Sequence, residues 1–229
     1  MQRERSLFLT FEGPDGSGKL TQAKALLKYL EAVHKISAVF FDFPRYTSRT
    51  GSQVGKMLHG EFGNFAEINP YLAGTMFAVD RLVALPKIRE AQINGSWIVC
   101  NRWMDSNVHQ AARLKTTKEQ LAYLKYFYWL ETTVMGLPRA DKVIFCDVSL
   151  RKALENTTQR AQAVGSGQDQ VETDKVYLRR GIELYREVAR ENLDWIWVDC
   201  MKDEKDMKGE AEIQHKILAG LRRHKILPE

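Results

Sequence analysis

The sequence predicts an α/β fold in three layers, with helices on both faces of a five-stranded, mainly parallel sheet, and three observations carry that expectation. Short apolar runs alternate with segments of helical period along the chain, which is the pattern βαβ units produce. Several runs, such as Trp97-Ile98-Val99-Cys100, are continuously apolar rather than alternating with polar residues, as strands covered on both faces must be. The first run leads directly into a glycine-rich loop, Gly13-Pro14-Asp15-Gly16-Ser17-Gly18-Lys19, which a helical pattern follows.

Taken in order, strand 7–12 (Leu-Phe-Leu-Thr-Phe-Glu) enters the loop, and helix 18–34 leaves it. Strand 38–43 is apolar apart from Asp42 and is followed by helical patterns at 51–59 and 69–94, the second carrying Leu72, Met76 and Phe77. Strand 97–101 precedes a helix at 118–135, where Leu121, Leu124, Phe127, Tyr128 and Trp129 provide more large apolar groups than one buried stripe needs. Strand 142–147 is followed by a polar helix at 150–163 and a longer one at 174–191, then by strand 195–200 and a last helix at 209–223. In sheets of this kind ligands gather at the carboxyl ends of the strands.

The 229 residues suit a single domain, 1–229, because nothing between the segments has linker composition. A hydrophobic content of 44% supports one core, and 28% charged residues support a soluble surface. No apolar run approaches the roughly 18 residues of a membrane span, and Met-Gln-Arg-Glu-Arg leads into a strand rather than a signal peptide, so a cytoplasmic protein with no membrane partner is expected. The three cysteines, Cys100, Cys146 and Cys200, each close a strand-like run without metal-ligand spacing, and buried reduced thiols are the simplest reading. The formal charge of +5 is scattered and no nucleic-acid motif appears, so small phosphorylated ligands account for it better than a nucleic-acid partner.

The loop is a phosphate-binding loop, and its fold is that of the P-loop NTPases. Glycines let the backbone curl so that its N–H groups point inward, the helix after Gly18 adds the positive end of its dipole, and the Lys19 ammonium reaches the outer phosphates. The pattern expects a hydroxyl directly after the lysine to hold Mg²⁺, but Leu20 stands there and the first hydroxyl is Thr21. Further polar clusters fall at strand and helix ends: Phe43-Pro44-Arg45-Tyr46, Phe77-Ala78-Val79-Asp80-Arg81 and Asn101-Arg102-Trp103-Met104-Asp105-Ser106-Asn107. Phosphoryl transfer gathers several negative charges, so catalysis is mainly positioning and cationic stabilisation, and Arg45, Arg81 and Arg102 supply forked cations from three separate positions.

With Phe11-Glu12-Gly13 to Lys19, Leu58-His59-Gly60-Glu61 and Leu137-Pro138-Arg139-Ala140-Asp141 added in order, the chain resembles the thymidylate kinases, P-loop enzymes that phosphorylate dTMP with ATP. The resemblance implies ATP as donor, Mg²⁺ as cofactor and a homodimer packed through helices flanking the sheet. It gives residues 13–21 to ATP, and Phe43, Pro44, Arg45, Tyr46, Phe77, Arg81, Arg102, Asn107 and Gln110 to the acceptor. Phe77 would stack on thymine, Asn107 bond the base, Arg45 and Arg102 grip the acceptor phosphate and Arg81 lie close to both. Asp15 would meet the 3′-hydroxyl or the metal, and Glu172 would be either a second metal carboxylate or a cap at the start of the next helix. A helical lid is expected at about 150–172, since water must be kept from the γ-phosphoryl group. Because Gly16 follows the loop aspartate, the resemblance implies that the transition-state arginine comes from the lid, with Arg160 the best placed; with Asp15, Lys19 and Arg102 it completes the catalytic set.

Departures from the family pattern lie at Asn101, Asn156 and the segment Asp169-Gln170-Val171-Glu172, where charges are altered. At Gln110, with His109 beside it, the aromatic that helps exclude a 2′-hydroxyl is replaced. They leave two other functions open beside dTMP phosphorylation: a related nucleoside monophosphate or deoxynucleoside kinase with a shifted acceptor, and a catalytically weak protein that binds nucleotides.

Overall fold

The computed structural model describes residues 6–164 and 174–228. Its sheet has five strands, β1 (Phe8–Glu12), β2 (Ala38–Asp42), β3 (Trp97–Asn101), β4 (Lys142–Asp147) and β5 (Trp195–Asp199), in the order β2-β3-β1-β4-β5. Every pairing is parallel, so the sheet is parallel throughout rather than mainly so. β1 and β3 are buried along their whole length. Successive residues point to opposite faces: Leu9 and Val99 pack in one layer with Leu26, Leu30, Ile217 and Leu221, while Phe8 and Ile98 pack in the other with Ile88 and Trp103. Two apolar layers explain why these strands read as unbroken hydrophobic runs.

The helices are α1 (Lys19–Val33), α2 (Arg49–Leu58), α3 (Pro70–Ile93), α4 (Asn107–Ala111), α5 (Thr117–Trp129), α6 (Leu150–Val164), α7 (Lys175–Glu191) and α8 (Glu210–Arg223). Ala23, Leu26 and Leu30 form the buried stripe of α1. α2 starts earlier than its apolar period suggests because the Ser48 hydroxyl caps it, accepting from Gly51 N–H at 2.9 Å. α3 is capped by Asn69, which accepts from Tyr71 N–H at 2.8 Å, with Pro70 in its first turn. α5 opens with a reciprocal cap between Thr116 and Glu119, and its end widens into a π-helical turn, Leu130–Val134, which splits the expected helix 118–135. β1, β2 and β5 differ from their expected ends by one residue each. α4 is too short to leave a period in the sequence. The helical part of the expected lid is α6; the stretch from Gly165 to Gln170, with Glu172, lies outside the described residues.

Candidate functional site

The loop between β1 and α1 is packed too closely to carry side chains at two of its glycines. At Gly13, φ is 140° and a Cβ would stand 2.5 Å from the Cys146 carbonyl oxygen at the end of β4. At Gly16, φ is 79° and a Cβ would collide with the Ala153 carbonyl of α6. From α6, the Asn156 amide donates to Gly16 O at 2.7 Å, so a position that departs from the family pattern fastens the loop. α1 begins at Gly18 with no side-chain cap, leaving its first N–H groups for an anion.

Lys19, only 6% exposed, folds back over the loop, its ammonium donating to Pro14 O at 3.0 Å and standing 3.4 Å from Asp15 Oδ1. Burial first, and then repulsion from Arg102, lowers its pKa to about 8. Arg102 reaches Asp15 Oδ1 at 2.6 Å through Nη2, and its Nη1 meets His109 Nε2 at 2.9 Å. Burial works against the Asp15 charge, yet Arg102 and Lys19 overcome it and hold the carboxyl well below its ordinary range. Burial and the Arg102 charge push His109 down to about 3, so its ring is neutral and Nε2 accepts from the guanidinium.

A cleft of about 460 Å³ runs from this cluster across the carboxyl ends of the strands to α3, α4 and α7. Lys19, Leu20 and Thr21 line its loop end, with Asp15, Gly16 and Gly18. Phe43, Pro44, Tyr46, Phe77, Arg81, Asn107 and Gln110 line the remainder, with Arg102 between the ends and Arg160 reaching in from α6. Phe77 also packs on the cluster of Val54, Met57, Leu58 and Tyr177, so one ring serves core and cleft. Gly13, Pro14 and Ser17 lie behind the lining, and the Ser17 hydroxyl is buried without a partner.

Two of the three arginines are engaged by residues the sequence reading left unassigned. Arg81, 2% exposed, forms a forked ion pair with Glu131 at 2.6 and 2.7 Å, and Glu131 also accepts from Asn107 at 2.6 Å. Arg45 is not in the lining: it bonds Asp80 through its side chain at 2.9 Å and its backbone N–H at 2.8 Å, while Asp80 also accepts from Thr50 at 2.6 Å. Glu12 accepts from Trp103, Ser106 and Tyr185. Asp80 and Glu12 sit inside motifs that are legible in the sequence; Glu131 lies on a helix where no sequence signal marks it.

Asp105, half-buried on the turn Met104–Ser106, has its carboxyl pushed up to about 7 by burial, with repulsion from Glu12 and Glu131 adding to it. Its folded pKa lies above the unfolded value of about 3.9, so its contribution to stability is complete below about pH 4 and is lost as pH rises through 7. Asp105→Asn is therefore expected to raise the melting temperature at about pH 8 and to leave it nearly unchanged near pH 4. An equal gain at both would contradict this.

The thymidylate kinase family model matches residues 11–211. The chain is 29% identical over 195 residues to a thymidylate kinase of Mycobacterium tuberculosis, covering 84% of this chain and 90% of that one. It is 30% identical over 179 residues to one of Caenorhabditis elegans, covering 75% and 73%. Similarity to a thymidylate kinase of Plasmodium falciparum extends over 229 residues at 26% identity, covering 99% and 95%. Among solved structures, the thymidylate kinase of Candida albicans superposes with a TM-score of 0.72 over 97% of this chain and 93% of that one, at 18% identity. A phosphate-binding loop opening into a cleft lined with arginines, on a parallel five-stranded sheet matched by the family model along most of its length, makes this chain a member of the thymidylate kinase family.

Proposed function

We propose that this cleft transfers the γ-phosphoryl group of ATP to dTMP, giving ADP and dTDP on the way to dTTP, the reaction of the family to which the chain belongs. The observation that supports this reading most directly is the bonded set Lys19, Asp15 and Arg102 at the open N-terminus of α1, with the cleft leading on to Phe77 and Asn107. In this reading the backbone N–H groups that open α1 after Gly18 and the Lys19 ammonium hold the donor phosphates. Arg102 holds the acceptor phosphate with a fork suited to two oxygens. Arg160 approaches from α6 to neutralise charge on the migrating group. Phe77 offers a ring face to the base and Asn107 an amide. Arg81 supports the base site through Glu131 and Asn107 rather than touching phosphate, and Arg45 is steadied by Asp80.

Mg²⁺ fits the donor set in its usual manner with nucleotides. No group of three or more acidic, histidine or cysteine side chains forms a metal cage among the described residues. Both Asp15 bonds fall on Oδ1, leaving Oδ2 as an oxygen donor beside the loop. An ion that keeps several waters and binds through phosphates and one or two carboxylates needs no more from the protein. When bound it would neutralise phosphate charge. Leu20→Thr places a hydroxyl where the loop lacks one and should lower the Mg²⁺ concentration needed for half-maximal rate. An unchanged Mg²⁺ dependence in this variant, with a large shift in Asp15→Asn, would make the carboxylate the dominant anchor.

Exposed Leu72, Val79 and Val83 on α3, with Leu121 and Trp129 on α5, support a homodimer packed through these helices. Three free buried thiols accord with the reducing cytoplasm, and no helix among the described residues is long and apolar enough to cross a membrane.

A second reading, altered sugar preference, is favoured by Gln110. Its Oε1 accepts from Arg113 Nη1 at 2.8 Å, and because arginine only donates, the amide keeps its NH₂ available beside the cleft, a group that accommodates a hydroxyl. A coupled ADP-release assay over a panel of nucleoside monophosphates tests both readings. Turnover selective for dTMP supports the first and comparable turnover of ribonucleotides the second, while binding without turnover contradicts both.

A further inference from the structure

We infer that Glu12, the last residue of β1, is a positioning residue for Arg102, holding its turn in a left-handed conformation from beneath the cleft; this rests on the reading of Arg102 as the acceptor-phosphate ligand. Arg102 has φ 64°, a region that a side chain with a Cβ occupies only when its surroundings over-determine it. The surroundings here are Glu12 and the residue before it. The fully buried carboxylate accepts from Trp103 N–H at 2.7 Å through Oε1, and from the Ser106 hydroxyl at 2.7 Å and the Tyr185 hydroxyl at 2.9 Å through Oε2. Arg102 N–H itself donates to Phe11 O at 2.9 Å.

Two of the three donors, Trp103 and Ser106, follow Arg102 in the chain, and the third comes from α7. The end of β1 therefore anchors the turn at the strained residue itself, through Phe11 O, and just after it, through Glu12, and ties it to α7. Held this way, the guanidinium meets Asp15 and His109 together. With the carboxylate lost, the turn can relax toward an ordinary φ and carry the guanidinium off both partners, a misplacement that costs rate and acceptor binding rather than nucleotide donor binding. Burial pushes the Glu12 carboxyl up, and the Arg102 charge and all three donors pull it back. Two of its three hydrogen bonds are spent on the turn.

The test is a double-mutant cycle of Glu12→Gln and Arg102→Ala, read on the dTMP dissociation constant by calorimetry, so that a variant without turnover can still be measured. Alone, Glu12→Gln should weaken dTMP binding about tenfold, lower kcat and leave ATP affinity within about twofold. In the Arg102→Ala background it should weaken dTMP binding no further. Equal weakening in both backgrounds, or no weakening when Arg102 is present, would overturn the inference, since a purely structural Glu12 adds its cost whatever stands at 102. If Glu12→Gln does not fold, Tyr185→Phe takes its place in the cycle. That variant removes one donor but keeps the ring stacked on Phe145, and the same non-additivity is expected at about threefold. If Arg102→Ala leaves dTMP affinity and turnover unchanged, the acceptor reading fails first and the inference with it.

Discussion

Lys19→Ala is expected to lower phosphoryl transfer by roughly a hundred- to a thousandfold, the scale of removing one preorganised charge from a site of developing negative charge. The ammonium is not on a mobile arm. It is buried against the loop, bonded to Pro14 O and beside Asp15, so its position is fixed before any nucleotide arrives. Burial and the neighbouring Arg102 lower its pKa to about 8, so added negative charge from a phosphate would favour the charged ammonium. The cost in stability should stay near 1 kcal/mol, because the loss is one hydrogen bond to a backbone oxygen and a long contact to a carboxylate that keeps Arg102. ADP release with dTMP and ATP, together with the melting temperature, checks both parts. A rate near wild type in a folded variant would show that the loop does not act on the transferred group.

The second large effect concerns stability. Arg81→Ala is expected to cost about 3–5 kcal/mol, because it leaves the Glu131 carboxylate, 0% exposed, with only the Asn107 amide for company. For a chain of this length that corresponds to a fall in melting temperature of roughly 10 °C. The pair is bidentate and buried on both sides, and the Arg81 pKa is raised by Glu131 in spite of its burial, so the two charges stabilise each other. Replacing both, as Arg81→Met with Glu131→Leu, should recover much of the loss, because it is the orphaned charge rather than the missing pair that is costly. Thermal melts of the three proteins decide the matter. A single variant as stable as wild type would mean that the ion pair contributes nothing. Weakened dTMP binding in the single variant is a secondary expectation, through Asn107, which shares Glu131.

The sequence determined by itself what depends on neighbours along the chain. The five strands were legible because a sheet covered on both faces needs continuous apolar runs, and every helix but the short α4 because buried stripes repeat every three or four residues. The phosphate-binding loop was legible because the glycines, Lys19 and the start of α1 are contiguous and each is required by backbone geometry or charge. Arg102, Phe77 and Asn107 could be placed near the site because strand ends and the helices that follow them converge there in any parallel sheet.

Tertiary structure alone decided which partner each of these residues would have. Arg81 lies 50 residues from Glu131, Arg45 lies 35 from Asp80, and Glu12 lies 173 from Tyr185. No local period records such pairings, because they depend on how the elements pack rather than on how each one forms. Nor does any local rule record the left-handed backbone at Arg102, which the bonds of Glu12 and Phe11 impose. The residues able to carry charge to a phosphate were visible in the sequence. Which of them remain directed at the cleft, and which are held by a buried carboxylate, was settled by packing, because in a low-dielectric interior a charge must find its counter-charge wherever the fold brings one.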